Sequence, residues 1–419
     1  MLQNAVRPIR AAWLFALAVA LPLRAQLRSP AAQPPARGAT LQEAISTALA
    51  RNTDVLTAEA VLDSARAEKS IASAYPNPVL AGQPNTPYQY AASIPLDITP
   101  RRTYRIRGAA QGIIAVDADR RDVRRQTTLT VARAFYDALL ADQRRTLAVE
   151  RRSAVLQVLQ ADSARYRSGD IPEHALARSE IELARSDADL ERTGIDLAHS
   201  RIALQGLMGI EHPDTAFGAI GTLDYKPVEI TEEALLATAR AHRPDLQGAV
   251  QRVEQSNTAK RAAGALLFPT PEFSYVRQYT APFESGHYYS LGLSFELPSI
   301  NLYRGERRRA AAGAAAAQLT ERRVGMQLER DVQLAVSDFR LQQSLVRRYQ
   351  SGLLPKIQAT VDAARYAYAR GAASLLEVLD ALRTQQDIRS EYAAALHDYW
   401  VSVHTLDAAG GVDTFTVQP

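Results

Sequence analysis

Few residues in this 419-residue chain are placed to do covalent or metal chemistry. Cysteine is absent, which removes disulfides, thiolate metal sites, thiol nucleophiles and a cysteine-linked lipid anchor. The seven histidines, His174, His199, His212, His242, His287, His397 and His404, are scattered, and only the last two share a helix-face spacing. Two helical turns separate that pair by roughly 10 Å, too far for one zinc with bonds of about 2 Å, so they read as a packed or tunnel-facing pair. No phosphate-binding loop, G-x-S-x-G or H-E-x-x-H pattern occurs. The sequence therefore predicts no catalytic residue, no cofactor and no resident metal, and the chain is expected not to be an enzyme. Arg307-Arg308-Arg309 is a conspicuous basic run, but 49 basic against 45 acidic residues is a near balance. A solvated helix start or a contact with anionic lipid fits the run better than nucleic acid does.

The elements that must position such residues begin with a leader. Arg7 and Arg10 precede an apolar run from Ala11 to Leu23 that ends at Leu23-Arg24-Ala25, the layout of a secretory signal peptide over residues 1–25. Its removal takes away three of the four excess positive charges, leaving an exported, nearly neutral protein. No later stretch reaches 18 consecutive apolar residues, so a membrane-spanning form must be a β-barrel.

Beyond a Pro-rich lead over residues 26–40, landmarks recur in order. Tyr75-Pro76-Asn77-Pro78 matches Phe268-Pro269-Thr270-Pro271 at 193 positions, and Lys69 matches Lys260 at 191. Tyr166-Arg167-Ser168-Gly169 matches Tyr368-Ala369-Arg370-Gly371 at 202, as Gly209 matches Gly411. A slowly drifting offset predicts an internal duplication: a first repeat over 41–209, a linker over 210–231, a second repeat over 232–411, and a tail over 412–419. Each repeat is expected to run helix, β-hairpin (76–99 and 269–298), very long helix, turn, helix. In the first repeat these helices read as 41–74, 102–167 and 173–208, and Pro355 predicts a kink in the second.

Leu291, Leu293, Phe295 and Leu297 alternate with Gly292, Ser294 and Glu296, as Tyr88, Tyr90, Ala92, Ile94 and Leu96 alternate with Gln89, Ala91, Ser93 and Asp97. Lipid outside and water inside a barrel would give this pattern, with those four apolar residues facing lipid; a half-buried soluble sheet gives it too. Four strands cannot close a barrel, so a spanning form must be oligomeric. Leu176, Leu183, Leu190, Leu197 and Leu204 form one heptad stripe, and Ile181, Ala188, Ile195 and Ile202 form another roughly 140 to 150° away. Such a helix needs neighbours on two sides, in a ring or in a simple antiparallel bundle.

This duplication, with paired strands and helices of some 65 residues, resembles the TolC-like outer-membrane efflux channel family. The most specific segment is Tyr368 to Ala381, YARGAASLLEVLDA, which resembles the family's second periplasmic helix-turn-helix tip; Tyr166 to Pro172 matches the first tip more loosely. The resemblance implies a mainly α fold with four strands per chain, assembled as a homotrimer with a twelve-stranded outer-membrane barrel and a long periplasmic α-barrel. It implies a passive exit duct in a tripartite system with a periplasmic adaptor (membrane fusion) protein and an inner-membrane pump, carrying heavy-metal cations or drugs. Glu377, Asp380 and Tyr368 match positions of the periplasmic gate, and Tyr166, Gly169, Gly371 and Ser374 lie at the implied adaptor-docking tips. Ala373 departs from the pattern, where the best-known member has a basic residue. The protein is expected in the outer membrane of a Gram-negative-type cell, extending into the periplasm and not lipidated through cysteine. A periplasmic coiled-coil scaffold or adaptor protein that never inserts is the alternative.

Overall fold

The computed structural model describes residues 38–84, 88–280 and 286–411. The leader and the tail over 412–419 lie outside the described residues. The first half contains β1 (Gly38–Ala39), α1 (Leu41–Arg51), α2 (Thr53–Ser73), β2 (Val79–Gln83), β3 (Tyr88–Pro95), α3 (Pro100–Arg167) and α4 (Glu173–Leu207). Then follow β4 (Gly218–Ala219), α5 (Glu232–His242), α6 (Pro244–Gly264), β5 (Pro271–Thr280), β6 (Gly286–Phe295), α7 (Arg304–Arg348), α8 (Leu354–Ala369) and α9 (Leu375–Gly410). The chain is thus mainly helical with a few strands. At 1.5 Å per residue, the 68 residues of α3 extend about 100 Å.

Local chemistry sets the boundaries. Thr40 opens α1 with a capping box: its hydroxyl accepts the Glu43 amide, and the Glu43 carboxylate accepts the Thr40 amide. The sequence predicts one helix from there to Ala74, but the chain breaks at Asn52. That side chain accepts the Asp54 amide at 2.9 Å and donates to the Leu207 carbonyl, so it caps α2 instead of continuing α1. The corresponding break between α5 and α6 falls at Arg243, ahead of Pro244; α1 and α5 have 11 residues each, α2 and α6 have 21. The guanidinium of Arg243 is buried and bonded to Asp245 at 2.5 Å and Asp331 at 3.2 Å. Just ahead of Pro355, a π-helical stretch, Tyr349–Leu353, separates α7 from α8. Proline has no amide to donate and crowds the carbonyl four residues back, and widening the turn relieves both.

Four strands form one antiparallel sheet in the order β2-β3-β5-β6, and the helices beside it pack in the matching order α2-α3-α6-α7. Further along, α4 packs on α3, α3 on α9, and α9 on α7 and α8. Arginines at the start of α3 tie the layer together: Arg101 donates to the carbonyls of Ala265 and Leu266, and Arg102 and Arg105 donate to those of Ser73 and Ala72. These carbonyls lie at or just past the ends of α2 and α6, where a helix leaves acceptors to be satisfied.

The main apolar core lies where α3, α7 and α9 meet α1, α5 and the linker, around Val131, Phe135, Leu204, Leu235, Val332, Phe339 and Tyr399. Fully burying one such side chain stabilises by about 1.5–3 kcal/mol. The linker is held by two aromatic donors from α9, Tyr399 Oη to the Lys226 carbonyl at 2.7 Å and Trp400 Nε1 to the Asp224 carbonyl at 2.9 Å. Within the linker, β4 pairs in parallel with β1, a contact that the two short glycine-containing segments give no periodic sign of.

Candidate functional site

Strand register sorts the sheet into two faces. The cross-strand row Leu80, Ala92, Tyr275, Leu291 and the row Ile94, Phe273, Leu293 lie on one face, with Tyr90 and Phe295. The row Ala81, Ala91, Val276, Ser290 lies on the other face, along with Ser93, Ser274 and Ser294. The apolar face is bare in the single chain, Leu80 being 80% exposed and Leu291 71%. Leu291, Leu293 and Phe295 therefore share one exposed apolar face. Leu297, expected on the same strand, lies two residues past its end. In the register of β5 and β6 its partner would be Pro269, which has no amide to offer.

Both sheet edges, on β2 and β6, are unpaired among the described residues. The helices repeat this. On α4 the seam against α3 alternates small polar and leucine positions, Ser186 and Leu190, then Thr193 and Leu197, and those residues are buried or half-buried. Its isoleucine stripe, Ile181, Ile195 and Ile202, is exposed, and so are Leu319, Met326, Leu334 and Leu341 on α7. Within the chain α4 and α7 lie at opposite edges of the helical layer. Each thus has one face satisfied and one left without a neighbour.

At the far end from the sheet, two turns have the same construction. After α3 the Gly169 amide bonds the Tyr166 carbonyl at 3.0 Å and the Asp170 amide bonds the Arg165 carbonyl at 2.8 Å. After α8 the Gly371 amide bonds the Tyr368 carbonyl at 3.0 Å and the Ala372 amide bonds the Ala367 carbonyl at 2.9 Å. Both are Schellman stops, with φ of +82° at Gly169 and +74° at Gly371, a region glycine enters without steric cost. Tyr166 is exposed beside the first turn. Ser374 caps α9, its hydroxyl accepting the Glu377 amide at 3.3 Å and donating to Glu377 Oε1 at 3.2 Å. Glu377 and Asp380 are both exposed, one turn apart on α9.

Tyr368 is not exposed with them. Its hydroxyl donates to Asp162 Oδ1 at 2.6 Å, and the other Asp162 oxygen accepts from Ser179. Asp162 is 1% exposed. The Tyr368 pKa is raised, first by burial and then by the carboxylate that accepts its proton. The Arg165 guanidinium lies 5.4 Å from its ring centre. Nearby, the buried Glu182 accepts from Arg151 at 2.8 Å and Arg383 at 3.3 Å, and Arg389 pairs with Glu150 at 2.9 Å. Tyr368–Asp162, Arg383–Glu182 and Arg389–Glu150 thus tie the second helical hairpin to the first. Sequence reasoning finds Tyr368 and misses Asp162, Ser179, Glu182 and Arg383. A signal existed: Asp162 stands seven residues after Val155 and fourteen after Ala148, both buried, so an acid occupies a core position of the heptad.

The two histidines spaced seven apart do not converge. His397 sits between Asp137 at 2.8 Å and Asp398 at 2.9 Å, one on each ring nitrogen, and His404 is buried against the Tyr136 ring. Burial works against a charge on His397, but the two carboxylates outweigh it and raise its pKa to about 9. Burial lowers that of His404 to about 4. Among the described residues no cluster of three or more potential ligands could hold a metal ion, and no helix is long and apolar enough to cross a membrane.

Long helical hairpins continuing from a small sheet with one bare apolar face are a fold shared with solved outer-membrane channels. The fold matches the Campylobacter jejuni CmeC outer membrane channel with a TM-score of 0.77 at 14% identity, over 88% of this chain and 85% of that one. It matches the open state of the Neisseria gonorrhoeae MtrE outer membrane channel at 0.73 and 20% identity, over 89% of each. The sequence pattern described as "Outer membrane efflux protein" matches residues 44–210 and 235–412, and the chain belongs to that family. Its members are passive outer-membrane channels and not enzymes. Over 384 residues the chain is also 25% identical to the cobalt-zinc-cadmium resistance protein CzcC of Cupriavidus metallidurans, covering 88% of this chain and 89% of that protein.

Proposed function

We propose that three copies of this chain close a twelve-stranded barrel in the outer membrane and continue it as a helical tunnel through the periplasm. The observation that carries this is the four-stranded sheet, with two free edges and one bare apolar face. Open edges in lipid leave backbone groups unpaired at several kcal/mol each, so the edges must meet other copies. The strands alternate in direction across β2-β3-β5-β6, so β6 of one copy and β2 of the next run antiparallel and closure keeps the pattern unbroken. The edge helices supply the matching contact, the exposed stripe of α4 or α2 meeting that of α7.

The duct is passive and takes its cargo from an inner-membrane pump through a periplasmic adaptor. Docking falls to the two Schellman tips, at Tyr166, Gly169, Gly371 and Ser374. The gate behind them comprises Tyr368, held shut by Asp162, and the exposed carboxylates Glu377 and Asp380. Threefold symmetry multiplies those two acids to six at the entrance, which favours cations. Divalent heavy-metal cations are the cargo that likeness to the cobalt-zinc-cadmium resistance protein supports. The two halves, with equal lengths in α1 and α5 and in α2 and α6, descend from one duplicated hairpin unit, and export depends on the leader over residues 1–25.

Washing membranes with carbonate or urea, followed by mass measurement of the detergent-extracted particle, tests the assembly. The channel stays in the pellet and purifies as three chains. A protein released by the wash as a detergent-free monomer would contradict the proposal.

A further inference from the structure

Basic residues gather where the helices meet the sheet. Arg304, Arg307, Arg308 and Arg309 occupy the first two turns of α7, and Lys69 and Lys260 stand near the ends of α2 and α6. All six are exposed, and no side chain among them makes a hydrogen bond or ion pair within the described residues. The arginines of the corresponding stretch of α3 are used differently, since Arg101, Arg102 and Arg105 satisfy the carbonyl ends of α2 and α6. Those carbonyls being taken, the fold of the chain gives the α7 arginines no such duty. Their charge is also misplaced for the helix: cations at an N-terminus oppose its dipole.

What lies beside them supplies the complement. Moving from the strands toward the helices, the bare apolar sheet face gives way to exposed apolar and aromatic residues in the connecting segments, Tyr75, Ile98, Phe268, Leu297 and Ile300. Next comes the basic group. Hydrocarbon, interface and charged headgroup follow one another in the same order across one leaflet of a bilayer. Three consecutive arginines at 100° per residue span more than half the circumference of α7, so at least one guanidinium points outward however the helix is turned.

We infer that this collar binds the anionic headgroups of phospholipids in the periplasmic leaflet, anchoring the channel vertically. The inference rests on the channel proposal above. Its test uses the full-length protein extracted in non-ionic detergent, offered phosphatidylglycerol and phosphatidylcholine in equal amounts, with retained lipid read by native mass spectrometry. Phosphatidylglycerol should be retained at least about fivefold over phosphatidylcholine, the worth of one basic residue at a membrane surface. The preference should shrink between about 50 and 500 mM salt, roughly a threefold change in screening length. In R304Q/R307Q/R308Q/R309Q it should be lost while three chains still co-purify. Equal retention of both lipids by an intact wild-type trimer, or an unchanged preference in the variant, overturns the collar and leaves the channel standing. A wild-type protein that needs no detergent overturns both. Salt dependence in the wild type decides the matter even if the variant fails to assemble.

Discussion

The hydrogen bond from Tyr368 to Asp162 joins side chains 206 positions apart, and among the described residues two hydroxyls satisfy that buried carboxylate. Removing one of them leaves the charge underpaired, at a cost of about 1–3 kcal/mol. Tyr368→Phe should therefore loosen the tie between the two hairpins without disturbing assembly. Planar-bilayer recording is expected to show a higher resting conductance for that variant; a conductance equal to wild type would mean that this bond does not hold the entrance. His404 gives a pH dependence with a definite sign. Its folded pKa of about 4 lies below the ordinary value of 6.5, so the unfolded chain takes up a proton first as pH falls. Its share of stability is intact above pH 6.5 and is lost between there and pH 4, up to about 3 kcal/mol. The groups facing it are Tyr136 on α3 and Asp407 on its own helix. Melting temperatures at pH 7.5 and 5 should differ less in His404→Gln than in wild type. His397 behaves oppositely: its contribution is complete below pH 6.5 and disappears as pH rises through about 9.

At the level of elements, facing decides tolerance. Leu293 and Ser294 are adjacent on β6 and point to opposite faces of the sheet. Leu293→Arg should cost about 2–4 kcal/mol near the middle of the bilayer, and Ser294→Arg should be nearly silent; refolding into vesicles under a urea gradient measures both. Equal losses would contradict the assigned faces. Strand alternation was legible because a sheet face repeats every two residues, and the tips were legible because a Schellman stop needs glycine where Gly169 and Gly371 stand. The break at Asn52 was not, since a side-chain cap interrupts the helix without disturbing its apolar periodicity. Nor was the partner of Tyr368 legible: a hydrogen bond between hairpins leaves no local trace except an acid at a core heptad position. The two-stripe pattern of α4 carried more than the secondary structure did. It predicts two neighbours, and the chain supplies one.

For the whole molecule, the exposed apolar stripes and free strand edges fall on the same two flanks, so a single rotation can satisfy both. The chain contains no cysteine, so engineered ones report on the assembly without interference. Ala81 on β2 and Ser290 on β6 belong to one cross-strand row, three strand spacings or about 14 Å apart within a copy. That is too far for a disulfide inside one chain, which needs Cα atoms within about 7 Å. Combining Ala81→Cys in turn with Tyr288→Cys, Ser290→Cys and Ser294→Cys samples the registers in which β6 can meet β2 of a neighbour. Mild oxidation in membranes, followed by denaturing electrophoresis, reads the outcome. A closed barrel of three copies predicts, for at least one pair, a ladder of one, two and three linked chains and nothing longer. A ladder that stops at two, one that runs beyond three, or no link in any register would contradict it.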